Sequence, residues 1–98
     1  MVAMARPEKL PDPAIASGLS ELAGWARTGD VIGKTFELAS FPAAIAFVVQ
    51  VGFLAEIANH HPDLDIRWRK VSVALMTHDA GGLTQLDLDL AHKIEGLV

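Results

Sequence analysis

Apolar residues recur at helical spacing in three parts of the chain and alternate with polar residues in two others. Near the N-terminus, three apolar residues at three- and four-residue intervals predict one buried helix face: Ile15, Leu19 and Leu22. Asp12 followed by Pro13 is typical of an N-cap with proline at the first helical position. We therefore predict a short helix from Asp12 to about Gly24, with a loose arm over residues 1–11 before it.

The segment after this helix predicts a β-hairpin. Gly29-Asp30 is a turn signal, and a strand follows it from Val31 to Leu38. Because the last five residues of that strand alternate polar with apolar, we expect it to have one solvated and one buried face.

The longest apolar run extends from Phe41 to Ala58, with Gln50 and Glu56 as its polar residues. Ser40 predicts its N-cap, and the run ends before Pro62. A membrane span needs about 20 apolar residues, so this interrupted run indicates a buried helix instead. A helix that is apolar on nearly all sides must be covered on more than one of them. We expect the sheet to cover one side and a partner subunit another.

A period of two returns after residue 65, which indicates further strands. The apolar positions of this stretch are Ile66, Trp68, Val71, Val73 and Leu75. We predict two strands joined by a tight turn near Arg69-Lys70, and one long strand with a bulge is the alternative.

The last helix has a strong start signal. Thr84 and Asp87 form a capping box with aspartate in place of the usual glutamate, and Leu83 can pack on Leu88 as a hydrophobic staple. Its predicted apolar face comprises Leu86, Leu90, Ile94 and Leu97. The element order α-β-β-α-β-β-α predicts an α+β fold, a single domain over residues 1–98 with helices on one face of a four-stranded antiparallel sheet.

Composition narrows the functional classes. The 98 residues are 51% hydrophobic, carry a formal net charge of −4 and include no cysteine. This charge argues against direct nucleic-acid binding, and the lack of cysteine excludes a disulfide scaffold or a thiolate zinc site. The first dozen residues have no apolar run of signal-peptide length, so we expect a cytoplasmic protein. A short chain with so high an apolar fraction cannot bury all of its apolar surface internally, so we also expect it to self-associate.

Candidate chemistry is concentrated in three histidines. His60 and His61 follow the long helix, and His78 follows the last strand, so an antiparallel layout can bring the three together. Histidine both accepts and donates protons at neutral pH, which suits general acid-base catalysis. His92, in the last helix, is interpreted as a surface residue. A metal site is the less favoured chemical alternative, with acidic residues that could complete it: Glu56, Asp63, Asp65 and Asp79.

Over residues 15–97 the sequence resembles the pterin-4a-carbinolamine dehydratase family. The resemblance rests on Glu56-x-x-x-His60-His61-Pro62, then Trp68, then the segment Thr77-His78-Asp79-Ala80-Gly81-Gly82-Leu83-Thr84, and then Asp87. Gly24-Trp25, Phe36, Phe41, Ala44 and Phe47 also fit that family. The aspartate after Pro62 and the tryptophan at position 68 are conservative departures.

The resemblance implies dehydration of 4a-hydroxytetrahydropterin to quinonoid dihydropterin, which recycles the pterin of aromatic amino acid hydroxylases. It implies a pterin substrate and neither a metal nor an organic cofactor. His61 and His78 would be the acid and base, and His60 would bind and orient the pterin. Asn59 and the segment from Thr77 to Asp79 would hydrogen-bond the pterin edge.

Other residues of the resemblance have two interpretations. Glu56 could hold the ring of His60 or be a solvated helix-end carboxylate, and for Asp87 we favour the capping role alone. Trp25 and Trp68 could cover the flat ring, although a core position is favoured for each.

Two other roles stay open. The protein could be a dimerisation cofactor of a transcription regulator, or it could serve a pterin of molybdenum cofactor metabolism. In either case we expect a homodimer or homotetramer formed through the helix over residues 41–58 and a sheet edge.

Overall fold

An antiparallel sheet in the order β1-β2-β4-β3 organises the molecule, whose computed structural model describes residues 7–98. Within those residues there are four strands and three α-helices, together with a 3-10 turn at His78–Ala80. The bounds are α1 Asp12–Leu19, β1 Ala26–Thr28, β2 Val31–Glu37, α2 Phe41–Ala58, β3 Asp63–Arg67, β4 Lys70–Leu75 and α3 Gln85–Glu95. The predicted α+β fold class and element order are confirmed.

The two central strands supply the sheet's contribution to the core. In the β2–β4 register Ile32 lies opposite Leu75 and Phe36 opposite Val71, and all four side chains are buried. The alternate residues of both strands point to the other face, where the hydroxyls of Thr35 and Ser72 lie 2.8 Å apart. Period-two alternation thus separates a face under the helices from a more exposed face.

Helix α2 begins where Ser40 Oγ accepts a hydrogen bond from the Ala43 N–H at 3.1 Å, and it ends at Asn59. One face is buried in the core through Ala44, Phe47, Val51 and Ala55. The opposite face is exposed, and five large apolar residues repeat along it at intervals of four: Phe41, Ile45, Val49, Phe53 and Ile57. We call these five residues the α2 stripe. Length and composition alone would also let α2 cross a membrane, a test that core helices pass as well.

Helix α3 has the predicted capping box. Thr84 accepts at the helix start and the Asp87 carboxylate accepts from the Thr84 N–H at 2.9 Å. Leu83 and Leu88, the predicted staple, are both buried in the core. Leu86 departs from the prediction, because it is half-buried and lies outside the core cluster.

Helix α1 is shorter than predicted. It ends at Leu19 instead of near Gly24, because turns follow it and Gly24 takes a positive φ of 85°. The N-cap is Pro11, one residue before the predicted Asp12, whose carboxylate instead pairs with Arg27 at 2.9 Å.

The turn between β3 and β4 lies one residue earlier than predicted. It comprises Trp68 and Arg69, so two strands, and not one bulged strand, are present. Trp68 adopts φ 54°, the left-handed conformation that tight hairpin turns require.

The N-terminal segment was predicted as a loose arm over residues 1–11. Residues 1–6 lie outside the described residues. Residues 7–11 form neither helix nor strand, and the Leu10 N–H donates to the Leu83 carbonyl at 2.8 Å. This hydrogen bond attaches the segment beside the start of α3.

Candidate active site

Three chain segments converge where α2 ends, β4 ends and α3 begins. Asn59 terminates α2 in a left-handed conformation with φ 48°, which reverses the chain before the two histidines. The His60 N–H then donates to the Ala55 carbonyl at 3.0 Å. This is the hydrogen-bonding pattern of a helix C-cap, and it turns His60 inward and leaves His61 outside.

These segments border an open cleft of about 270 Å³, slightly below the usual range for small-ligand sites. His60, His61 and His78 all line it. The other lining residues are Pro7, Asn59, Met76, Thr77, Asp79 and Leu86. The histidines that the sequence separates by up to 18 positions therefore share one cleft.

A buried carboxylate fixes the orientation of the His60 ring. Its Nε2 lies 2.5 Å from Asp87 Oδ1, and Asp87 is fully buried. Asp87 Oδ2 also accepts from the Thr77 hydroxyl at 2.8 Å. Because a carboxylate only accepts, Nε2 carries the proton of a neutral His60, which leaves Nδ1 as the acceptor nitrogen.

A second hydroxyl continues this network. Thr84 Oγ1 lies 2.8 Å from Thr77 Oγ1. Thr77 has a single hydroxyl proton and gives it to Asp87, so Thr84 must be the donor to Thr77. No buried side-chain nitrogen or oxygen in residues 7–98 lacks a partner. Such a fully satisfied buried network holds its members in one arrangement.

His61 and His78 have different surroundings from His60. Both are exposed, and His78 lies in the 3-10 turn. His61 Nε2 is 2.9 Å from Glu56 Oε1, with both side chains more than half exposed. Such an exposed pair is worth little for stability, and both rings can exchange protons with water.

Two interpretations of the acidic residues need correction. Of the two interpretations of Glu56, a contact with His60 is wrong, because the reversal at Asn59 directs His60 toward Asp87 and leaves His61 beside Glu56. The other agrees with the structure, since Glu56 is a solvent-exposed carboxylate near the end of α2. Asp87 does form the capping box, but it also binds His60, so the capping role alone does not explain it.

The two tryptophans lie away from the cleft. Trp25 is buried in the core, as favoured, and its Nε1 donates to Glu95 Oε1 at 2.8 Å. Trp68 is 86% exposed at the β3–β4 turn and does not line the cleft, so the core position favoured for it is wrong. The left-handed turn residue projects outward, and alternation alone could not reveal that.

Of the remaining candidates, Asn59, Thr77 and Asp79 all line the cleft. Thr77 is buried and its hydroxyl is committed to Asp87. His92 is exposed on α3 and does not line the cleft. In the part of the chain that the structure describes, no three histidine, aspartate or glutamate side chains are grouped so as to hold a metal ion.

Sequence reasoning missed the apolar residues of the cleft, namely Pro7, Met76 and Leu86. For Leu86 the sequence offered one signal, which is its place in the first turn of the helix, two residues after the predicted Thr84 cap. The buried residues of α3 begin only after it, at Asp87 and Leu88.

The family model for pterin 4 alpha carbinolamine dehydratase matches residues 8–97. The chain belongs to the pterin-4a-carbinolamine dehydratase family. A Roseiflexus sp. (strain RS-1) relative, provisionally named a pterin-4-alpha-carbinolamine dehydratase, is 61% identical over 92% of this chain and 97% of its own length. A relative from Nocardia farcinica with the same provisional name is 54% identical over 92% of this chain and 95% of its own.

A solved structure of a family protein has the same fold. The crystal structure of a transcriptional coactivator/pterin dehydratase from Brucella melitensis aligns with a TM-score of 0.89. The identity is 29%, and the alignment covers 92% of this chain and 98% of the other. The fold of this family is therefore the fold described above, and its members' names point to a pterin substrate.

Proposed function

We propose that the protein dehydrates 4a-hydroxytetrahydropterin to quinonoid dihydropterin and water. The observation that carries the proposal is the cleft itself, where one anchored and two solvent-accessible imidazoles face the same space. Membership of the family supports a pterin as the substrate.

The reaction requires two proton transfers. A proton must reach the leaving 4a-hydroxyl, and another must leave the ring nitrogen, so an acid and a base must both contact the pterin. We assign these roles to His61 and His78, because both line the cleft and are exposed to water that can restore their protonation states. The pterin is the substrate, and the proposed chemistry needs no metal or organic cofactor.

His60 has the complementary role. The Asp87 carboxylate fixes its Nε2–H, so its ring orientation is set before the substrate binds. A preorganised group of this kind can orient the pterin and stabilise developing charge without reorganising. Asn59, Thr77 and Asp79 would contact the polar edge of the ring, although for Thr77 the side-chain proton is already donated to Asp87.

The physiological setting that we propose is cytoplasmic recycling of the tetrahydropterin used by an aromatic amino acid hydroxylase. Because the dehydration is also spontaneous, the enzyme would act by accelerating it.

In the test, the dehydration of enzymatically generated 4a-hydroxytetrahydropterin is measured optically, and the spontaneous rate is subtracted. His61→Ala and His78→Ala should each lower the enzymatic rate by roughly 10²-fold or more. His92→Ala is the matched control, since it removes an exposed imidazole outside the cleft and should retain the full rate. If both cleft variants keep the wild-type rate, the assignment is wrong.

The exposed α2 stripe indicates a second property of the protein, which is self-association. Its five exposed apolar side chains form one face of a helix whose other face is already in the core. We propose that α2, together with a sheet edge, forms a homodimer or homotetramer. A transcription regulator bound on the same surface is the alternative protein partner.

Assembly is tested on an exposed stripe residue. Phe53→Glu should lower the molar mass in light scattering while circular dichroism stays native, because Phe53 is 67% exposed. Phe47 and Val51 lie on the opposite face of the same helix. Both are buried in the core, so variants there would report folding and not assembly. An unchanged molar mass for Phe53→Glu would contradict the proposal.

A further inference from the structure

The tip of the β3–β4 hairpin combines an exposed tryptophan with three basic residues. Trp68 is flanked by Arg67, Arg69 and Lys70, so three of the eight lysines and arginines of the chain lie within four residues. All four side chains are exposed. They border an open depression of about 640 Å³, within the usual volume range for binding sites, whose lining residues are Glu37, Ile66, Arg67, Trp68, Arg69 and Lys70. The proposed dehydration uses none of these residues.

The fold itself does not favour tryptophan at this position. Trp68 is the first residue of the two-residue turn between the paired residues Arg67 and Lys70, and its φ is 54°. Glycine or asparagine is the usual residue at such a position, and a bulky side chain with positive φ is an outlier. Because Trp68 is 86% exposed, packing within the chain does not compensate for this conformation. Such an outlier suggests a role in binding, outside the fold.

The hairpin tip is remote from the candidate active site. The turn precedes β4 at Lys70, whereas Met76, which lines the cleft, follows the other end of the same strand. A strand rises about 3.3 Å per residue, so the two places lie roughly 20 Å apart. A partner bound at the turn therefore need not contact the three histidines.

The basic groups at the turn already bind carboxylates. Arg69 Nη2 lies 2.7 Å from Glu37 Oε1. Arg67 Nε lies 3.2 Å from Asp65 Oδ2. In both pairs both side chains are more than half exposed, so each pair is worth little and the carboxylates of a partner can compete for the guanidinium groups. Lys70 adds a third positive charge to the same surface.

The charge of the whole chain favours a short acidic segment over a larger polyanion. The formal net charge is −4, so the surface beyond this turn is strongly acidic. A nucleic acid or an anionic membrane would extend over that acidic surface and be repelled by it. A short protein segment meets mainly the charges of the turn, because salt screens charges more than about 8 Å away. Tryptophan and arginine are also the residues that most often dominate the binding energy of protein interfaces.

We propose that the β3–β4 turn binds an acidic segment of another protein, in which carboxylates alternate with apolar side chains. Trp68 and the partly exposed Ile66 contact the apolar side chains, and Arg67, Arg69 and Lys70 bind the carboxylates. This interaction is independent of the proposed dehydration.

The probe is a fluorescein-labelled peptide of Glu-Asp-Leu repeats, and its neutral counterpart consists of Gln-Asn-Leu repeats of equal length. Fluorescence anisotropy at low ionic strength should give the wild-type protein a Kd at least about tenfold lower for the acidic peptide. Trp68→Gly should raise this Kd about tenfold or more, and Arg69→Gln about threefold or more. Lys93→Gln is the control, since it removes an exposed positive charge on α3 outside the depression, and it should change the Kd by less than about twofold.

Trp68→Gly also separates binding from a structural role. Because glycine suits the turn, the variant should have a urea midpoint no lower than that of the wild-type protein, and its dehydration rate should be unchanged. A lower urea midpoint with an unchanged Kd would show that Trp68 is a structural residue and would overturn the proposal.

Three other results would overturn the proposal. The first is an acidic peptide that binds the wild-type protein no better than the neutral one. The second is a lower molar mass of Trp68→Gly in light scattering, which would identify the occupant as a second copy of the chain. The third is Trp68-dependent binding of oligo(dT), or of vesicles of phosphatidylcholine and phosphatidylserine, that is tighter than binding of the acidic peptide. Peptide binding is measured without a pterin, so its result does not depend on whether the protein is a dehydratase.

Discussion

Replacing Asp87 by asparagine tests the link between the buried network and the chemistry. Asp87 is fully buried and its oxygens accept from three donors: the His60 ring, the Thr77 hydroxyl and the Thr84 N–H. Asparagine has nearly the same shape but one accepting oxygen and an NH₂ group that can only donate. Wherever the NH₂ group points, it faces at least one group that is donating in the native arrangement.

The expected magnitudes follow from these contacts. Hydrogen bonds to a charged group contribute about 1.5–3 kcal/mol each, so loss of the charge at a buried site should cost about 2–4 kcal/mol of unfolding free energy. If the NH₂ group faces His60, the ring must accept at Nε2 and carry its proton on Nδ1. The dehydration rate should then fall roughly 10- to 100-fold, the loss typical when a residue that orients a metal-ligating histidine is replaced.

Two measurements check this prediction, namely urea denaturation and the dehydration assay with the spontaneous rate subtracted. Asp89→Asn is the control, since Asp89 is exposed on the same helix and bonds only Gln85 among the described side chains. It should change stability by less than about 0.5 kcal/mol and leave activity intact. A double variant with His60→Ala should be no slower than His60→Ala alone, because Asp87 acts through His60. If Asp87→Asn keeps both wild-type activity and wild-type stability, the network has no such role.

Three further substitutions test individual hydrogen bonds and the packing of the core. Thr77→Val removes the hydroxyl that donates to Asp87 and should lower the unfolding free energy by about 1–3 kcal/mol; an unchanged urea midpoint would contradict this. Phe47→Ala should cost about 3–5 kcal/mol, because Phe47 is buried against the sheet, and thermal denaturation measures it. Trp25→Phe removes the hydrogen bond to Glu95 and should cost about 1 kcal/mol, with no change in dehydration rate.

The fold could be predicted from the sequence because its signals are local. Period-two alternation, the Thr84–Asp87 capping box and the Ser40 cap each specify an element within a few residues. The errors occur where a reversal of the backbone sets the end of a helix or a strand. The early end of α1 and the position of the β3–β4 turn depend on turn geometry, and the pattern of apolar residues does not determine it.

The site could be predicted only in part for a related reason. Motif spacing identified the three histidines, and the antiparallel layout brought them to one cleft. Which carboxylate holds which histidine depends on the left-handed turn at Asn59. A helical count from Glu56 reaches His60, but the chain reversal gives that contact to His61 and directs His60 to Asp87. Long-range contacts of this kind are properties of the tertiary structure.

The most direct test of the central claim is the dehydration rate of a variant that carries both His61→Ala and His78→Ala. Both side chains are exposed, so the variant should fold and keep the His60–Asp87 contact. The account predicts acceleration over the spontaneous reaction by the wild-type protein and none by the double variant. A folded double variant that still dehydrates 4a-hydroxytetrahydropterin at the wild-type rate would contradict it.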